Sequence, residues 1–149
     1  WISPAGVNNS AKFARYYEGR SFAGPMEIDS EWGYALVQRD PESHFRHFES
    51  PFEGREFTPE DALAYPLPDY SDQSRYAGIA ERVADIKREG YASQCICGFS
   101  TFDFSWLIRG FEPFLMDLAA GEEAACILMD RVSDSVAAML VYCLNSTLD

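Results

Sequence analysis

At 149 residues, with 47% hydrophobic and 24% charged side chains, the chain has the composition of one globular domain, not of a disordered tail. Twelve Lys and Arg stand against 24 Asp and Glu, giving a formal net charge of −12 with no basic stripe. Nucleic acid and anionic membranes are thereby excluded as expected partners, because a phosphate binder needs clustered cations.

Aromatic residues reach 15%, with eleven Phe and eight Tyr. That much ring surface calls for a large core, a pocket, or a partner surface. Cys95, Cys97, Cys126 and Cys143 sit among apolar residues without the spacing of a secreted disulfide scaffold, so a cytoplasmic protein is expected. Trp1 to Asn9 has neither a basic n-region nor an apolar h-region, and Trp1 as first residue suggests a true N-terminus further upstream. The longest apolar stretch, Val136 to Leu144, is shorter than the ~20 residues of a membrane span.

In chain order, Asn8, Asn9 and Ser10 can cap a short helix over Ala11 to Tyr17, closed by Gly19. Glu31 to Gln38 favours extended backbone, through Trp32, Tyr34 and Leu36. Residues 39 to 57 carry His44, His47, Pro51, Gly54 and many charges, and predict an exposed hairpin or loop. Thr58-Pro59-Glu60-Asp61 is a helix start, and Tyr65-Pro66-Leu67-Pro68-Asp69 breaks that helix early. Ser71 or Asp72 opens the next helix, with Tyr76, Ile79, Val83 and Ile86 on one face and Gly90 at its end.

Tyr91 to Cys97 is short and apolar enough for a buried strand. Gly98 to Ser105 follows as an aromatic loop, and helical character begins at Trp106 to Ile108. A helix is expected over Phe111 to Ala120, and a longer one from Glu122 to about Leu144. Acids at the start of that last helix suit its dipole, and Leu128, Val132, Val136, Met139, Leu140 and Cys143 form its apolar stripe. Helix, strand, loop and helix make one unit of a βα architecture, yet a parallel strand needs neighbours on both sides. The expectation is therefore a single incomplete domain over residues 1–149, helix-rich with one or two strands. In it Tyr91–Cys97 is central and parallel, and helices 71–89 and 122–144 lie outside. Leu128, Val132 and Met139 would then be under-buried, and the isolated chain partly molten.

Three segments carry a resemblance. Asp29-Ser30-Glu31-Trp32-Gly33, Tyr65-Pro66-Leu67-Pro68-Asp69, and the stretch from Gly98-Phe99-Ser100 through Trp106-Leu107-Ile108-Arg109-Gly110-Phe111-Glu112-Pro113-Phe114-Leu115-Met116-Asp117-Leu118 follow in that order. Together, over roughly residues 29–140, they resemble distant members of the uroporphyrinogen decarboxylase superfamily. The resemblance implies an α/β fold, a partial TIM-type (β/α)8 barrel fragment, with pocket residues on loops after the strands. It implies an enzyme removing carboxylates from the acetate side chains of a tetrapyrrole without a cofactor. The alternatives in the same superfamily are a methyltransferase using zinc and a corrinoid protein, or a non-catalytic binding member. A small-molecule substrate, tetrapyrrole or methyl donor, and a homodimer of the full-length protein are further implications.

The chain departs from the family at several points. Trp106 stands where the decarboxylases carry Tyr, and Arg109 where they carry Glu before the following Gly. The family's arginine-rich motif and central aspartate have no counterpart here, and the methyltransferases' zinc ligands fall beyond residue 149. Catalytic residues are thus not assigned. The substrate-binding candidates are Phe99, Phe102, Phe104 and Trp106 as walls for a flat apolar ligand, with Arg109 for a carboxylate. Plugging of the barrel top is the other reading of the rings, and pairing with Glu112 or Asp117 the other reading of Arg109. If the loop lies at the barrel mouth, Phe102, Phe104 or Trp106 edges a cavity, while Leu115 and Leu118 point into packing.

Other candidates are weaker. Asp103 suits a helix N-cap better than a general base. Cys95 and Cys97 are expected as buried thiols rather than zinc ligands, and His44 and His47 as a solvated pair.

Overall fold

A computed structural model describes residues 2–95 and 100–145. The first half runs α1 (Ser10–Phe13), a 3-10 turn (Ala14–Tyr16), β1 (Met26–Ile28), β2 (Ala35–Val37), β3 (His47–Glu49) and α2 (Pro59–Ala64). A 3-10 turn (Gln73–Tyr76) and α3 (Ile79–Arg88) lead to three consecutive helices, α4 (Thr101–Arg109), α5 (Phe111–Ala120) and α6 (Glu123–Asn145). The result is helix-rich α/β. No described helix is long and apolar enough to cross a membrane.

The strands form an antiparallel sheet in the order β1-β2-β3, with Leu36 opposite Glu27 on one side and Phe48 on the other. Sequence patterning anticipates one or two strands, but three are present, because three-residue strands are too short for alternation to show. Residues 91–94 carry no regular structure, and within the described part of the expected central strand Cys95 makes one parallel bridge with Ile2. Cys97 and Phe99 lie outside the described residues. With a single bridge beside it, an apolar run such as Tyr91 to Cys95 gains no extended ladder of hydrogen bonds among the described residues.

Local chemistry fixes the helix starts. Thr58 and Asp61 form a reciprocal capping box with Pro59 at the first position, so α2 begins where the sequence places it. Ser100 and Asp103 form a second box, which starts α4 at Thr101. The segment expected as an aromatic loop is therefore mostly helix. Asp103 is the third helical residue of that box, reaching back to Ser100, rather than the N-cap itself. Gly110, at φ 102, turns α4 into α5, and Gly121, at φ 71, ends α5.

Tyr65 is the centre of the core. It is fully buried, its ring meets Phe13, Tyr16 and Phe52, and its hydroxyl donates to the Trp32 carbonyl at 2.7 Å. A Cβ on Gly33 would run into Phe13 and the Tyr65 hydroxyl, so only glycine fits there. The long helix α6 closes the core from the other side. Arg131 donates to the carbonyls of Ala62 and Tyr65 at the end of α2, and Ser135 donates to the Pro68 carbonyl.

Leu128 and Val132 are 0% exposed and Met139 is 4% exposed, so the under-burial expected of them does not occur. Two short elements absent from a barrel-unit reading, α2 and the aromatic cluster around Tyr65, belong to the same core and provide that cover. Leu140 does leave the apolar stripe and is exposed with Val141 and Leu144. Met139 and Cys143, four residues apart, share the buried face, and Leu140 lies about 100° round the helix from Met139. On α5 the roles also differ from expectation. Phe114 is fully buried, whereas Leu115 is exposed and Leu118 is half-buried.

Candidate functional site

The two faces of α4 carry different chemistry. Residues two apart on a helix point about 200° from each other, so Phe104 and Trp106 face opposite ways. Phe104 turns inward, 5% exposed, and stacks on Trp32 with centroids 3.7 Å apart and planes at 8°. Trp106 turns the other way. Phe48 meets its ring edge-on at 5.7 Å and Phe111 at 5.5 Å, with interplanar angles of 87° and 88°.

These rings border a cavity of about 540 Å³ at the α4–α5 corner, which Glu53, Glu112 and Met116 also line. Its walls come from three places. β3 supplies Phe48, the following turn supplies Ser50 and Glu53, and α4 and α5 supply the rest. Ser50 holds the turn against α4 by donating to the Ile108 carbonyl and accepting from the Phe52 amide. Gly110 leaves room for Glu53, since a Cβ there would lie 3.1 Å from Glu53 Oε2. Among the described residues, neither Glu53 nor Glu112 has an ion pair. The cavity therefore combines aromatic walls with two uncompensated carboxylates.

Arg109 does not line this cavity. Its Nε donates to Asp117 Oδ2 at 2.7 Å, its Nη1 reaches the carbonyls of Phe52 and Arg55, and its guanidinium lies 5.4 Å from the Phe57 ring centroid. It joins the 52–57 turn to α4 and α5. Phe102 lies on the outer edge, 36% exposed, against Phe114. Of the candidate rings, Trp106 alone borders the cavity among the described residues. Hydrogen bonds from the Ser100 hydroxyl and amide hold the Asp103 carboxyl below the usual carboxylate range, and the Trp106 indole N–H adds to them at 3.3 Å. An ionised, hydrogen-bonded cap is a poor proton acceptor at neutral pH.

The segments behind the family resemblance meet at one place. Asp29 Oδ1 accepts from the amides of Glu31 and Trp32, making a turn that presents the Trp32 carbonyl to Tyr65 and the Trp32 ring to Phe104. No protein-family model, curated protein or solved structure matches the chain.

Among the described residues, no three His, Cys, Asp or Glu gather in a way that could hold a metal ion. Cys95 is half-buried, and His44 and His47 are exposed. Phe48, Glu53, Phe111, Glu112 and Met116 are site residues that sequence reasoning missed. The one available signal was the Phe-Glu-Pro sequence after Gly110, which places a ring and a carboxylate at the start of a helix.

Proposed function

We propose that the chain is a binding member of a uroporphyrinogen decarboxylase-like protein, taking the edge of a flat, π-rich ligand such as a tetrapyrrole at Trp106. The observation that carries this reading is the cavity itself: the Trp106 ring flanked by Phe48 and Phe111, with Glu53 and Glu112 beside them. Aromatic walls favour a planar apolar ligand, and ionised carboxylates accept from ring N–H groups. The convergence of the three resembling segments at Trp32 also supports it. The partial (β/α)8 barrel belongs to this proposal.

Binding is preferred to decarboxylation because of Arg109. A decarboxylase acting on acetate side chains needs cations free to hold carboxylates, and Arg109 is committed to Asp117. Aromatic rings next to carboxylates also suit an organic cation, which is the second reading.

Coproporphyrin tetramethyl ester, whose side chains are neutral, tests the proposal as the free base and as its nickel chelate. Followed by its visible absorption band, the free base is expected to bind saturably and the chelate, which lacks ring N–H donors, about tenfold more weakly, a difference of about 1.4 kcal/mol. Saturable binding of benzyltrimethylammonium with no response to either porphyrin would move the site to organic cations. No saturation by any of the three would refute the cavity as a ligand site.

A further inference from the structure

A second cleft, sharing no residue with the first, lies between the N-terminal segment and the start of α3. It measures about 630 Å³, and Ser3, Arg75, Gly78, Ile79 and Arg82 are among its walls. Arg75 is 4% exposed, an unusual state for arginine. Its Nη1 donates to Glu31 Oε1 at 2.9 Å and to the Ala5 carbonyl at 3.2 Å, and its guanidinium lies 4.5 Å from the Tyr70 ring centroid. Glu31 is itself held by the Tyr70 hydroxyl and the Val7 amide, both at 2.7 Å. The guanidinium is thus charge-balanced and fixed in place.

One edge of it is not satisfied. Nε is buried and has no hydrogen-bond partner, and among the described residues Nη2 makes no hydrogen bond either. Nε and Nη2 form the side-on fork with which arginine grips carboxylates and phosphates in bidentate fashion. A buried donor without an acceptor is rare in folded proteins and points to a missing partner. The neighbouring helix end has the same need. α3 has ten residues, and its N-cap, Gly78 at φ 78, supplies no side-chain acceptor to the first-turn amides.

We infer that this cleft binds a small oxyanion, a carboxylate or phosphate group, gripped by the Nε–Nη2 edge of Arg75. The first-turn amides of α3 and the Arg82 guanidinium supply the remaining donors. Glu81 and Asp85 also line the cleft and oppose a heavily charged ligand, so a monoanion is favoured over a dianion. Arg75 acts as the fixed anchor and Arg82 as the adjustable one.

The test is an NMR titration of the arginine Nε–H resonances in the full chain. Sodium acetate and sodium phosphate are compared with sodium chloride at matched ionic strength. The Arg75 Nε–H signal, assigned through Arg75→Lys, is expected to move saturably with at least one oxyanion and not with chloride. The amides of Ile79 and Glu81 should follow the same curve, and they carry the test alone if the lysine variant fails to fold. Arg82→Ala should weaken binding about two- to fivefold while leaving the melting midpoint without ligand unchanged. Saturation by acetate alone assigns a carboxylate, by phosphate alone a phosphate, and by both a general oxyanion site. Responses to both anions that match chloride, or equal affinity in Arg82→Ala with unmoved α3 amides, overturn the inference.

Discussion

Phe104 and Trp106 stand two residues apart on the same helix and meet opposite surroundings. Phe104 faces a closed core, stacked on Trp32, whose carbonyl accepts from the buried Tyr65 hydroxyl. Trp106 faces a cavity whose rings meet edge to face and whose carboxylates have no ion pair among the described residues. The difference shows that an aromatic-rich helix start can serve core and site at once, because a helix turns alternate residues to opposite sides. Ring content alone therefore cannot locate a binding surface. The helix phase decides it, and here the phase is set by the Ser100–Asp103 capping box.

The largest effect is expected on the closed side. Phe104→Ala removes the partner of Trp32 and leaves a void beneath α6, so unfolding free energy should fall by about 3–5 kcal/mol. A denaturant midpoint at constant slope measures it, and a loss below about 1 kcal/mol would show that the stack is not part of the core.

A smaller loss distinguishes the core from the site at Arg109. Arg109→Ala frees Asp117 and unties the 52–57 turn, at a cost of about 1–3 kcal/mol. Porphyrin affinity should change little, since Arg109 lies outside the cavity. A strong fall in affinity with intact stability would instead make Arg109 part of the ligand site.

The core side also has a pH signature. Burial raises the phenols of Tyr34 and Tyr76 from the ordinary 10.0 to about 12, and those of Tyr17, Tyr65 and Tyr70 further still. The folded state favours the neutral phenol, so this stability is complete below pH 10 and is lost as pH rises through 12. Phenolate absorbance should rise late and together with unfolding. Full ionisation of all eight tyrosines near pH 10 in a still-folded protein would contradict the described core.

Much of the helical frame was legible in the sequence. Thr58-Pro59 with Asp61, Gly121 and the acid-led run from Glu122 announce their helices through capping and dipole chemistry. The Ser100-x-x-Asp103 box was equally present but was hidden by reading the rings as a loop. The sheet was not legible, since His47–Glu49 is three residues long within a charged segment. For the same reason the cavity was only partly foreseen. Trp106 announces itself as a ring after an apolar run, but Phe48 and Glu53 lie more than fifty residues earlier and join it only through folding.

One paired measurement tests the division between the faces most directly. Phe104→Ala and Trp106→Ala are made separately, and each is assayed for melting midpoint and for affinity for coproporphyrin tetramethyl ester. Trp106→Ala should weaken binding about tenfold and lower the midpoint by only a few degrees, because the ring is half-buried against a cavity. Phe104→Ala should lower the midpoint by far more, while the molecules that remain folded bind nearly as tightly as the parent chain. A Trp106→Ala protein that melts as early as Phe104→Ala yet binds the porphyrin ester unchanged would show that both rings are core, and that the open face of α4 is not a site.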